Sequence, residues 1–544
     1  MILRVLVGVL LTALAAAAVA QAPLPSLEEL EGAGVVIGEI RVVTHDVFDL
    51  SDPKEDNWLF RLANNLHVQT RPEVIRGQLL FRTGERLSVQ KIQETERLLR
   101  GNSYLYEVHI RPIALHDGVV DLEVVTRDTW SLELGGGASY AGGTTTGSVK
   151  IGDRNLLGTG ISLGIGTSAT SEVSTAGGSR RAVNVDLNYP YAMDGHTILG
   201  YTHSSFTDGS AQGFNVTRPF YHLDARWSGD LSAFKDSRLL TRYADGSPIG
   251  KFRRVADSAN VSGGWSKGLV DGWTHRFSTG LRYLQENYST DPLDPAPPPD
   301  DRTLYTPYFH YQAVEDDYRQ TENVNSIGRP EYQKLGLQFD ADIGQSLRRL
   351  GSTESVTQYG ASISGGLRFS EQRTLLAAGS FSGEYSNGQS DNLYVGGSLT
   401  YYQRRRNGAL LYLALQADAT DFSDDAHFLS LGGETGLRGY PTNYRLGERR
   451  VLFTAEQRFY SDWYPFQLIR VGGAVFYDVG RAWGGPYDNN GGQVRWYADA
   501  GFGLRLLSAR SARGQTLHID LAFPLHHDPT IKAYQLTVES KTSF

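Results

Sequence analysis

Cysteine is missing from this 544-residue sequence, and methionine occurs only twice. Without thiols the chain can form neither disulfide bonds nor cysteine-ligated metal sites, and the absence is compatible with an oxidising compartment. An excess of basic residues is missing too, because the net charge is −8 at pH 7. This charge argues against nucleic acid as a partner.

Long hydrophobic runs are also missing after the N-terminus. The mean hydropathy is −0.33, and a membrane-spanning helix needs about 20 consecutive apolar residues. The sequence instead contains much glycine (61) and tyrosine (29). Such a composition is typical of transmembrane β-strands, in which every second residue meets lipid. Composition alone fits a large soluble all-β protein equally well.

The N-terminal segment has the three parts of a secretory signal. Arg4 supplies a positive charge, residues 5–17 are apolar, and Ala18-Val19-Ala20 forms a small-residue cleavage site. The apolar run is short for a membrane anchor, and no cysteine follows for lipid attachment. We therefore predict that residues 1–20 are a signal peptide and that the mature chain is exported.

Residues 21–33 contain proline and glutamate and are predicted to form a linker. The pattern changes at Gly34, after which residues 35–43 alternate as in a β-strand. Residues 106–113 and 119–125 give two further strand patterns, joined through a strong Asp-Gly hairpin signal.

Two helices are predicted between the first of these strands and the hairpin. The segment from Thr70 to Glu73 has the spacing of a capping box, with proline in the first turn. Ser88 caps a second helix that Gly101 ends. The predicted order over residues 34–128 is therefore β-α-α-β-β, with space for an additional helix around residues 57–66.

From residue 129 to the C-terminus, strand patterns alternate with turns rich in glycine, asparagine and aspartate. We predict that residues 129–544 form one large β domain of antiparallel strands.

One loop in this domain, residues 431–441, reads LGGETGLRGYP. Its glycines allow sharp turns, and Pro441 excludes a helix or a central strand. Glu456 and Asp478 follow in strand-like segments, each on the face opposite an apolar row. We predict that the loop folds inward and that Arg438 bonds both carboxylates, Asp478 first, because its fork of donors suits bidentate pairing. The alternative is an ordinary inward charge, since a polar lumen would offer any arginine a carboxylate.

The tetrapeptide Leu437-Arg438-Gly439-Tyr440, followed by Phe476-Tyr477-Asp478, resembles the loop-and-strand signature of the POTRA-plus-barrel superfamily. That superfamily includes BamA-like and TamA-like insertases, surface antigens and two-partner-secretion transporters. The resemblance implies a sixteen-stranded antiparallel transmembrane β-barrel over residues 129–544 and one periplasmic POTRA domain over residues 34–128. Sixteen strands would allot about 26 residues to each strand and its turn. The resemblance also implies that the arginine docks on an acidic residue of the lumen wall.

The C-terminal segment fits this interpretation. Tyr534, Leu536 and Val538 share one parity, which Phe544 rejoins at the chain end. The pattern resembles the aromatic-terminated strand that the barrel assembly machinery recognises. A buried amphipathic strand of a soluble domain is the alternative.

Two short patterns in the sequence resemble enzyme motifs, and we interpret both as structural. Residues 264–268 match the G-x-S-x-G elbow around Ser266, but that elbow needs a strand, a turn and a helix, whereas this match lies within β alternation. The group His526-His527-Asp528 is predicted to be solvated turn residues rather than metal ligands. We predict no catalysis, no metal site and no cofactor.

The resemblance implies insertion or translocation of a protein, or lipid, client at the outer membrane. The POTRA domain would offer a strand edge to an extended client by β-augmentation. The barrel would offer a lumen, or a lateral seam between its first and last strands, surrounded by outer-membrane lipid. Two alternatives stay open: a surface antigen or passive pore without translocation activity, and a two-partner-secretion type of transporter.

Overall fold

The computed structural model describes residues 24–141, 144–172, 180–244, 247–290, 297–325, 327–328, 330–405, 408–421, 428–485, 488, 495–511, 516–526 and 531–541. The predicted signal peptide and the terminal Phe544 lie outside these residues. The described chain has an N-terminal α/β unit followed by a large antiparallel sheet. The predicted mainly-β class is therefore confirmed.

The N-terminal unit, residues 24–128, has β3 in the middle of a three-stranded sheet, parallel to β1 and antiparallel to β2. The helix over Trp58–Leu66 lies in the segment where the sequence left space for an additional helix. No helix within the described ranges is long and apolar enough to cross a membrane. The elements are α1 (Leu27–Gly32), β1 (Val36–His45), α2 (Trp58–Leu66), α3 (Pro72–Arg76), α4 (Val89–Arg100), β2 (Leu105–His116) and β3 (Val119–Asp128).

Local sequence signals set several boundaries of this unit. The hydroxyl of Ser88 accepts a hydrogen bond from the Lys91 N–H at the start of α4, and Gly101 is the C-cap. Asp117 and Gly118 both have positive φ, at 52° and 77°, as a tight type I′ hairpin turn requires. These three predictions are confirmed.

Thr70 does not cap helix α3. Its N–H and hydroxyl donate to the carboxylate of Asp128 at 2.7 and 2.8 Å, and the N-cap residue Arg71 makes no side-chain capping bond. The predicted capping box is wrong because the Thr70 hydroxyl donates to the buried Asp128 carboxylate and its oxygen accepts from Asn155 Nδ2 rather than from a helix N–H. His67 Nε2 lies 2.8 Å from the same carboxylate, so this buried acid has three partners.

The first helix, α1, lies within the predicted linker of residues 21–33. Ser26 and Glu29 form a reciprocal capping box at its start, a signal that the sequence analysis missed. Leu30 is 2% exposed and joins the apolar core of the unit. That core also includes Ile37, Ile75, Ile92, Leu99, Leu105, Val108 and Leu122.

Twenty strands of the described chain form a closed antiparallel barrel. Successive strands are neighbours, and the ring closes where β27 meets β4, with Val538 opposite Tyr140. The strands are β4 (Leu132–Ala141), β5 (Thr144–Asp153), β6 (Ser162–Glu172), β7 (Arg180–Ala192), β8 (Thr197–Phe206), β9 (Gly209–Arg218), β10 (Trp227–Ala244), β11 (Ser247–Val270), β12 (Trp273–Thr290), β13 (Arg302–Glu315), β16 (Gln338–Gln345), β17 (Thr357–Ser370), β18 (Arg373–Ser386), β19 (Gln389–Arg404), β20 (Leu410–Asp421), β23 (Arg449–Tyr460), β24 (Ile469–Trp483), β25 (Tyr497–Ser508), β26 (Thr516–Pro524) and β27 (Gln535–Lys541).

The count of sixteen strands is therefore wrong for this structure. Sixteen strands would need about 26 residues for each strand and turn, which assumes long connections at one end of the barrel. Connections such as 207–208 and 387–388 are only two residues long. The residues saved in this way form the additional strands.

Two short hairpins interrupt the regular order of the barrel. The first, β14 (Tyr318–Glu322) with β15 (Pro330–Lys334), lies between β13 and β16. The second, β21 (Leu429–Leu431) with β22 (Arg445–Gly447), lies between β20 and β23. Because the strands alternate in direction, these two hairpins start from opposite ends of the barrel.

Side chains alternate across the barrel wall. In β24, Val475 and Tyr477 are 49% and 41% exposed, whereas Phe476 and Asp478 between and beside them are buried. Each of the twenty barrel strands carries at least one exposed large hydrophobic side chain. An apolar band therefore encircles the barrel, and such a surface suits hydrocarbon better than water.

The N-terminal unit docks on the turns at one end of the barrel, which we call the N-terminal end. Asn155 Nδ2 donates to Thr70 Oγ1 at 2.7 Å, and the Leu223 N–H donates to Glu94 Oε1 at 2.7 Å. Burial of Glu94 raises the pKa of its carboxyl group. We call the opposite end of the barrel the far end.

Candidate functional site

The far-end loop, described over residues 428–448, folds back into the barrel. Leu431, Leu437 and Tyr440 are all 0% exposed. Gly432 and Gly436 have φ values of 123° and 131°, a conformation that other residues rarely adopt. The glycine-rich sequence thus allows the loop to turn sharply and to bury its tip.

Arg438 lies at this tip and meets carboxylates on the barrel wall. Its Nε and Nη2 donate to the two oxygens of Asp478 at 2.7 and 3.1 Å. Its Nη1 lies 3.3 Å from Glu456 Oε2 and 3.3 Å from Asp520 Oδ2. The Asp478 side chain is 0% exposed. The structure therefore brings together the three residues that the sequence singled out, with Asp478 in the bidentate position, and adds Asp520.

Two further arginines contact the same carboxylates. Arg505 is 0% exposed, pairs with Asp520, and places Nη2 3.6 Å from Glu456 Oε1. Arg458 Nε lies 3.4 Å from the same Glu456 oxygen. We call Arg438, Arg458, Arg505, Glu456, Asp478 and Asp520 the ionic cluster. Its three cations balance its three anions, as buried charges require.

Sequence reasoning missed Arg505 and Asp520, although a signal for them exists. Arg505 stands between Leu504 and Leu506, and Asp520 between Ile519 and Leu521. A single charge inside an apolar alternation is typical of an inward position on a barrel strand.

Other groups on the wall fix the position of the Arg438–Asp478 pair. The Thr454 hydroxyl donates to Asp478 Oδ1 at 2.8 Å. The Arg438 guanidinium lies over the Phe476 ring, with 3.4 Å between Cζ and the ring centroid. An aromatic face attracts a cation in this position. The Phe476-Tyr477-Asp478 motif thus supplies an inward ring and an inward carboxylate, with Tyr477 pointing outward.

Gly439 and Tyr440 also dock on the wall. The Gly439 N–H donates to Asp499 Oδ2 at 3.0 Å. A Cβ atom on Gly439 would lie 2.7 Å from Asp499 Cβ and 3.0 Å from Pro524 N, so the site admits glycine and no larger residue without rearrangement. The Tyr440 hydroxyl donates to the Ala498 carbonyl at 3.0 Å, and Leu437 packs in an apolar cluster with Tyr440.

A second insert enters the lumen from the N-terminal end. This N-terminal-end hairpin, residues 318–334, starts between β13 and β16 but contacts β23, β24 and β25. The Tyr460 hydroxyl donates to the Asn323 carbonyl at 2.6 Å, and Ile327 packs with Ala474 and Leu507. Four strands separate β16 from β23 around the ring. The hairpin therefore crosses the lumen.

Arg458 and Glu456 of the barrel wall link the two inserts. Arg458 Nη1 donates to the Val324 carbonyl of the hairpin at 2.9 Å, while its Nε faces Glu456. At the other end of the hairpin, Arg97 of α4 lies 3.7 Å from Asp316 and 4.3 Å from the Tyr318 ring centroid. Contacts thus run from the N-terminal unit through the hairpin to the ionic cluster and the far-end loop.

The predicted terminal signal lies at the barrel seam. Tyr534, just before β27, and Leu536 are 57% and 44% exposed, whereas Gln535 and Thr537 are buried. Val538 lies opposite Tyr140 of the first strand. Phe544 is outside the described residues.

The enzyme-like patterns lie apart from the cluster. Ser266 belongs to strand β11, and its hydroxyl accepts the Gly268 N–H at 2.9 Å. The His526 ring stacks edge-on against Tyr497 with centroids 5.7 Å apart. His527 and Asp528 lie outside the described residues.

No protein-family model matches the chain, and no curated protein matches it. Solved structures with a similar arrangement include BamA from Haemophilus ducreyi lacking POTRA domains 1–3, at 13% identity over 93% of this chain and 84% of that chain, with a TM-score of 0.39. CdiB from Acinetobacter baumannii is 12% identical over 93% of this chain and 73% of that chain, with a TM-score of 0.46. The F3-3 variant of the FrpB iron transporter from Neisseria meningitidis is 9% identical over 93% and 91%, with a TM-score of 0.41. These values do not place the chain in a family.

Proposed function

We propose that this protein is an outer-membrane barrel that inserts or translocates a polypeptide, or lipid, client, with the N-terminal unit acting as a periplasmic POTRA domain. The proposal rests on the two inserts that enter the lumen from opposite ends. Helix α4 of the N-terminal unit contacts the N-terminal-end hairpin, so the inserts are connected to a domain outside the barrel. A passive pore works with an open lumen. Inserts that are anchored to a domain outside the barrel suit passage that depends on a client.

The edges of the N-terminal sheet differ in what they offer to a client. Along β2, the Ile110 N–H already donates to Glu96 Oε1 at 2.8 Å, the Val108 carbonyl accepts from an α4 arginine, and Pro112 has no N–H to donate. The β2 edge is therefore blocked. Residues 40–45 of β1 form the opposite edge, beyond Glu39, whose N–H donates to Asp121 Oδ1 at 2.7 Å. We assign β-augmentation to residues 40–45.

The barrel seam is the second feature that supports this function. In the described residues, β27 pairs with β4 at Val538 and Tyr140, whereas β4 pairs with β5 from Leu132 to Ala141. The seam joins the first and last strands of the barrel, and we assign to it the exit of a client strand into the lipid.

The membrane assignment is tested by fractionation. We expect the protein to sediment with outer membranes and to migrate faster in unboiled than in boiled gel samples. Deleting Phe544 should lower the amount of assembled barrel, because the chain would lack the terminal aromatic residue that the barrel assembly machinery recognises. Recovery of the full-length chain in the soluble periplasm would refute the assignment.

The role of the N-terminal unit is tested by deleting residues 34–128. The main apolar core of the unit and the cluster behind the far-end loop are separate, and a smaller cluster of Val47, Phe48 and Phe60 joins the unit to Trp130 and Leu468. The barrel strands pair with one another without the unit, so the remaining barrel should still assemble at near-normal level. Client handling should be lost. Unchanged client levels together with a steady single-channel conductance would instead support a passive pore.

The client edge is tested with a photo-crosslinking amino acid. Arg41 on β1 and Arg111 on β2 are matched positions, because each side chain is 65% exposed and each faces Glu123. A crosslinker at Arg41 should capture client polypeptide, and one at Arg111 should not. Equal capture at both positions would mean that clients do not bind by addition to the β1 edge.

A further inference from the structure

A cavity of about 520 Å³ lies where α4, the N-terminal-end hairpin and the barrel wall meet. Four cationic side chains line it: Arg97 and Arg100 of α4, Arg276 of β12 and Lys334 of β15. These residues come from three parts of the chain. Their positive charges therefore converge only in the folded molecule, with the N-terminal unit docked.

Two of the four cations have neutral hydrogen-bond partners. Arg276 donates to Gln312 Oε1 at 2.8 Å and to the His222 carbonyl at 3.1 Å. Lys334 Nζ donates to Gln338 Oε1 at 2.6 Å. Among the described residues, neither cation lies within 4.0 Å of a carboxylate oxygen, and the buried Arg276 Nε has no hydrogen-bond partner. Such cations are unfavourable away from water unless an anion neutralises them.

The carboxylates that line the cavity are bonded to backbone amides. Glu94 accepts the Leu223 N–H at 2.7 Å. Glu331 accepts the N–H groups of Val324 and Asn325 at 3.0 and 3.1 Å. Asp340 accepts from the same Gln312 and Gln338 side chains that bond the two cations. Glu94 and Asp340 attract Arg276, and Asp340 attracts Lys334, from beyond contact distance. Arg276 and Lys334 therefore have charged neighbours but no carboxylate in direct contact, which leaves room for an anion between them.

The two arginines of α4 are held by carboxylates and by aromatic rings: Arg97 lies 3.7 Å from Asp316, and Arg100 lies 3.8 Å from Glu96. Arg97 Cζ lies 4.3 Å from the Tyr318 centroid, and Arg100 Cζ lies 5.9 Å from the Tyr332 centroid. A guanidinium that stacks on a ring keeps its N–H donors in its own plane, where an oxyanion can accept hydrogen bonds from them.

We propose that this cavity binds a phosphate monoester, carried by a soluble phosphorylated molecule or by a lipid headgroup. Donors that converge from a helix, a wall strand and a hairpin suit a tetrahedral oxyanion. A planar carboxylate needs only the two parallel N–H donors of a single guanidinium. A phosphate monoester carries a charge of about −1.5 to −2 at pH 7, and its oxygens would accept hydrogen bonds from Arg276 and Lys334, which no carboxylate contacts directly. A volume of about 520 Å³ also accommodates the group that bears the phosphate.

The bound phosphate contacts the N-terminal unit, the hairpin and the wall together. Because it binds only when all three are in place, it stabilises the docked arrangement. The site does not depend on the transport proposal, since a barrel with no client would bind the ligand equally well.

The test uses the full-length chain in detergent micelles. Glucose 6-phosphate serves as the soluble monoester in calorimetric titrations, and micelles doped with phosphatidic acid serve as the lipid monoester in thermal-unfolding scans. Micelles doped with phosphatidylcholine are the lipid control, and glutarate is the carboxylate control. Saturable binding of glucose 6-phosphate supports a soluble source, and stabilisation by phosphatidic acid alone supports a lipid source.

Three variants test the residues. Arg276→Gln and Lys334→Gln should each weaken binding of the monoester at least tenfold, and Arg276→Lys should restore most of the affinity. Lys267→Gln is the matched control, because Lys267 is an exposed cation at the same end of the barrel, outside the cavity. Unboiled gel mobility shows whether each variant has folded. Wild-type affinity in both glutamine variants, tighter binding of glutarate, or no saturable binding of either monoester would overturn the proposal.

Discussion

The N-terminal unit and the barrel bury opposite kinds of side chain. Inside the unit, Ile75, Leu99 and Leu122 are 0% exposed and pack in one apolar cluster. Inside the barrel, Asp478 and Arg505 are equally buried, while large apolar side chains face outward on every strand. A wall that is apolar outside leaves its inner face to polar groups, and these must then pair with one another.

The two interiors should also respond differently to mutation. An apolar truncation leaves a cavity, and its cost in folding free energy depends on how far the neighbours relax. Removing one charge of a buried pair leaves the other charge without a counterpart. Because the ionic cluster shares partners, changes within it should be strongly non-additive. Four predictions follow this contrast, from the largest expected effect to the smallest.

Asp478→Ala should give the largest effect, because it leaves Arg438 without its bidentate partner. For a buried pair the expected cost is roughly 3–5 kcal/mol. Denaturant unfolding in micelles and protease cleavage of the far-end loop provide the measurements. Arg438→Ala should be similar, and the double mutant less damaged than the sum of the two.

A more exposed lumen pair serves as the control for that prediction. Arg282 and Asp342 lie 3.0 Å apart with 38% and 30% exposure, so Asp342→Ala should cost less than about 1 kcal/mol. Strictly additive losses at Arg438 and Asp478 would show that the far-end loop does not depend on their pairing.

Leu99→Ala should destabilise the N-terminal unit by roughly 2–5 kcal/mol, because Leu99 lies at the centre of its apolar core. Hydrogen exchange in β1–β3 should rise, while protection of the far-end loop stays unchanged. Leu62 of α2 is 44% exposed, so Leu62→Ala is a control expected to have little effect. Faster exchange in the loop of the Leu99 variant would contradict the separation of the two interiors.

Gly439→Ala should cost about 1–3 kcal/mol by overpacking, because the added methyl group would press on Asp499 and Pro524. The expected readout is faster protease cleavage of the far-end loop with the barrel still assembled. Gly397→Ala is the matched control, since the nearest atom to its Cβ would be the Ala378 carbonyl oxygen at 3.5 Å. Equal tolerance at both glycines would argue against close docking of the tip.

The smallest effect is expected at a turn outside the barrel wall. Burial alone would raise the pKa of Asp194, but hydrogen bonds from Arg218, Thr197 and His196 outweigh it and lower the pKa to about 2. A lowered pKa stabilises the fold above the ordinary value of 3.8, and this contribution is lost as the pH falls towards 2. Thermal scans from pH 5 to pH 2 should show a shallower decline in Asp194→Asn than in the wild type, and an identical decline would contradict the assignment.

The sequence predicted the parts of this protein that depend on neighbours along the chain. Alternation with period two predicted the strands and the inward parity of Glu456 and Asp478. Ser88 and the Asp117–Gly118 pair marked element boundaries, because capping and turn geometry need only a few consecutive residues. The same local reasoning gave Thr70 the wrong role, since Asp128 reaches it from a distant strand.

Closure of the barrel and the composition of the ionic cluster were decided by the tertiary structure. Local pattern predicts a strand but not how many strands complete the ring, because ring size depends on tilt and stagger summed around the whole sheet. Asp520 and Arg505 share parity with many other inward residues, and only the register of β25 and β26 places them level with Arg438. The path of the N-terminal-end hairpin was likewise undecidable from sequence, because its partners on β23–β25 lie more than a hundred residues downstream. Parity belongs to each strand alone, whereas the meeting of inward groups depends on how twenty strands are aligned.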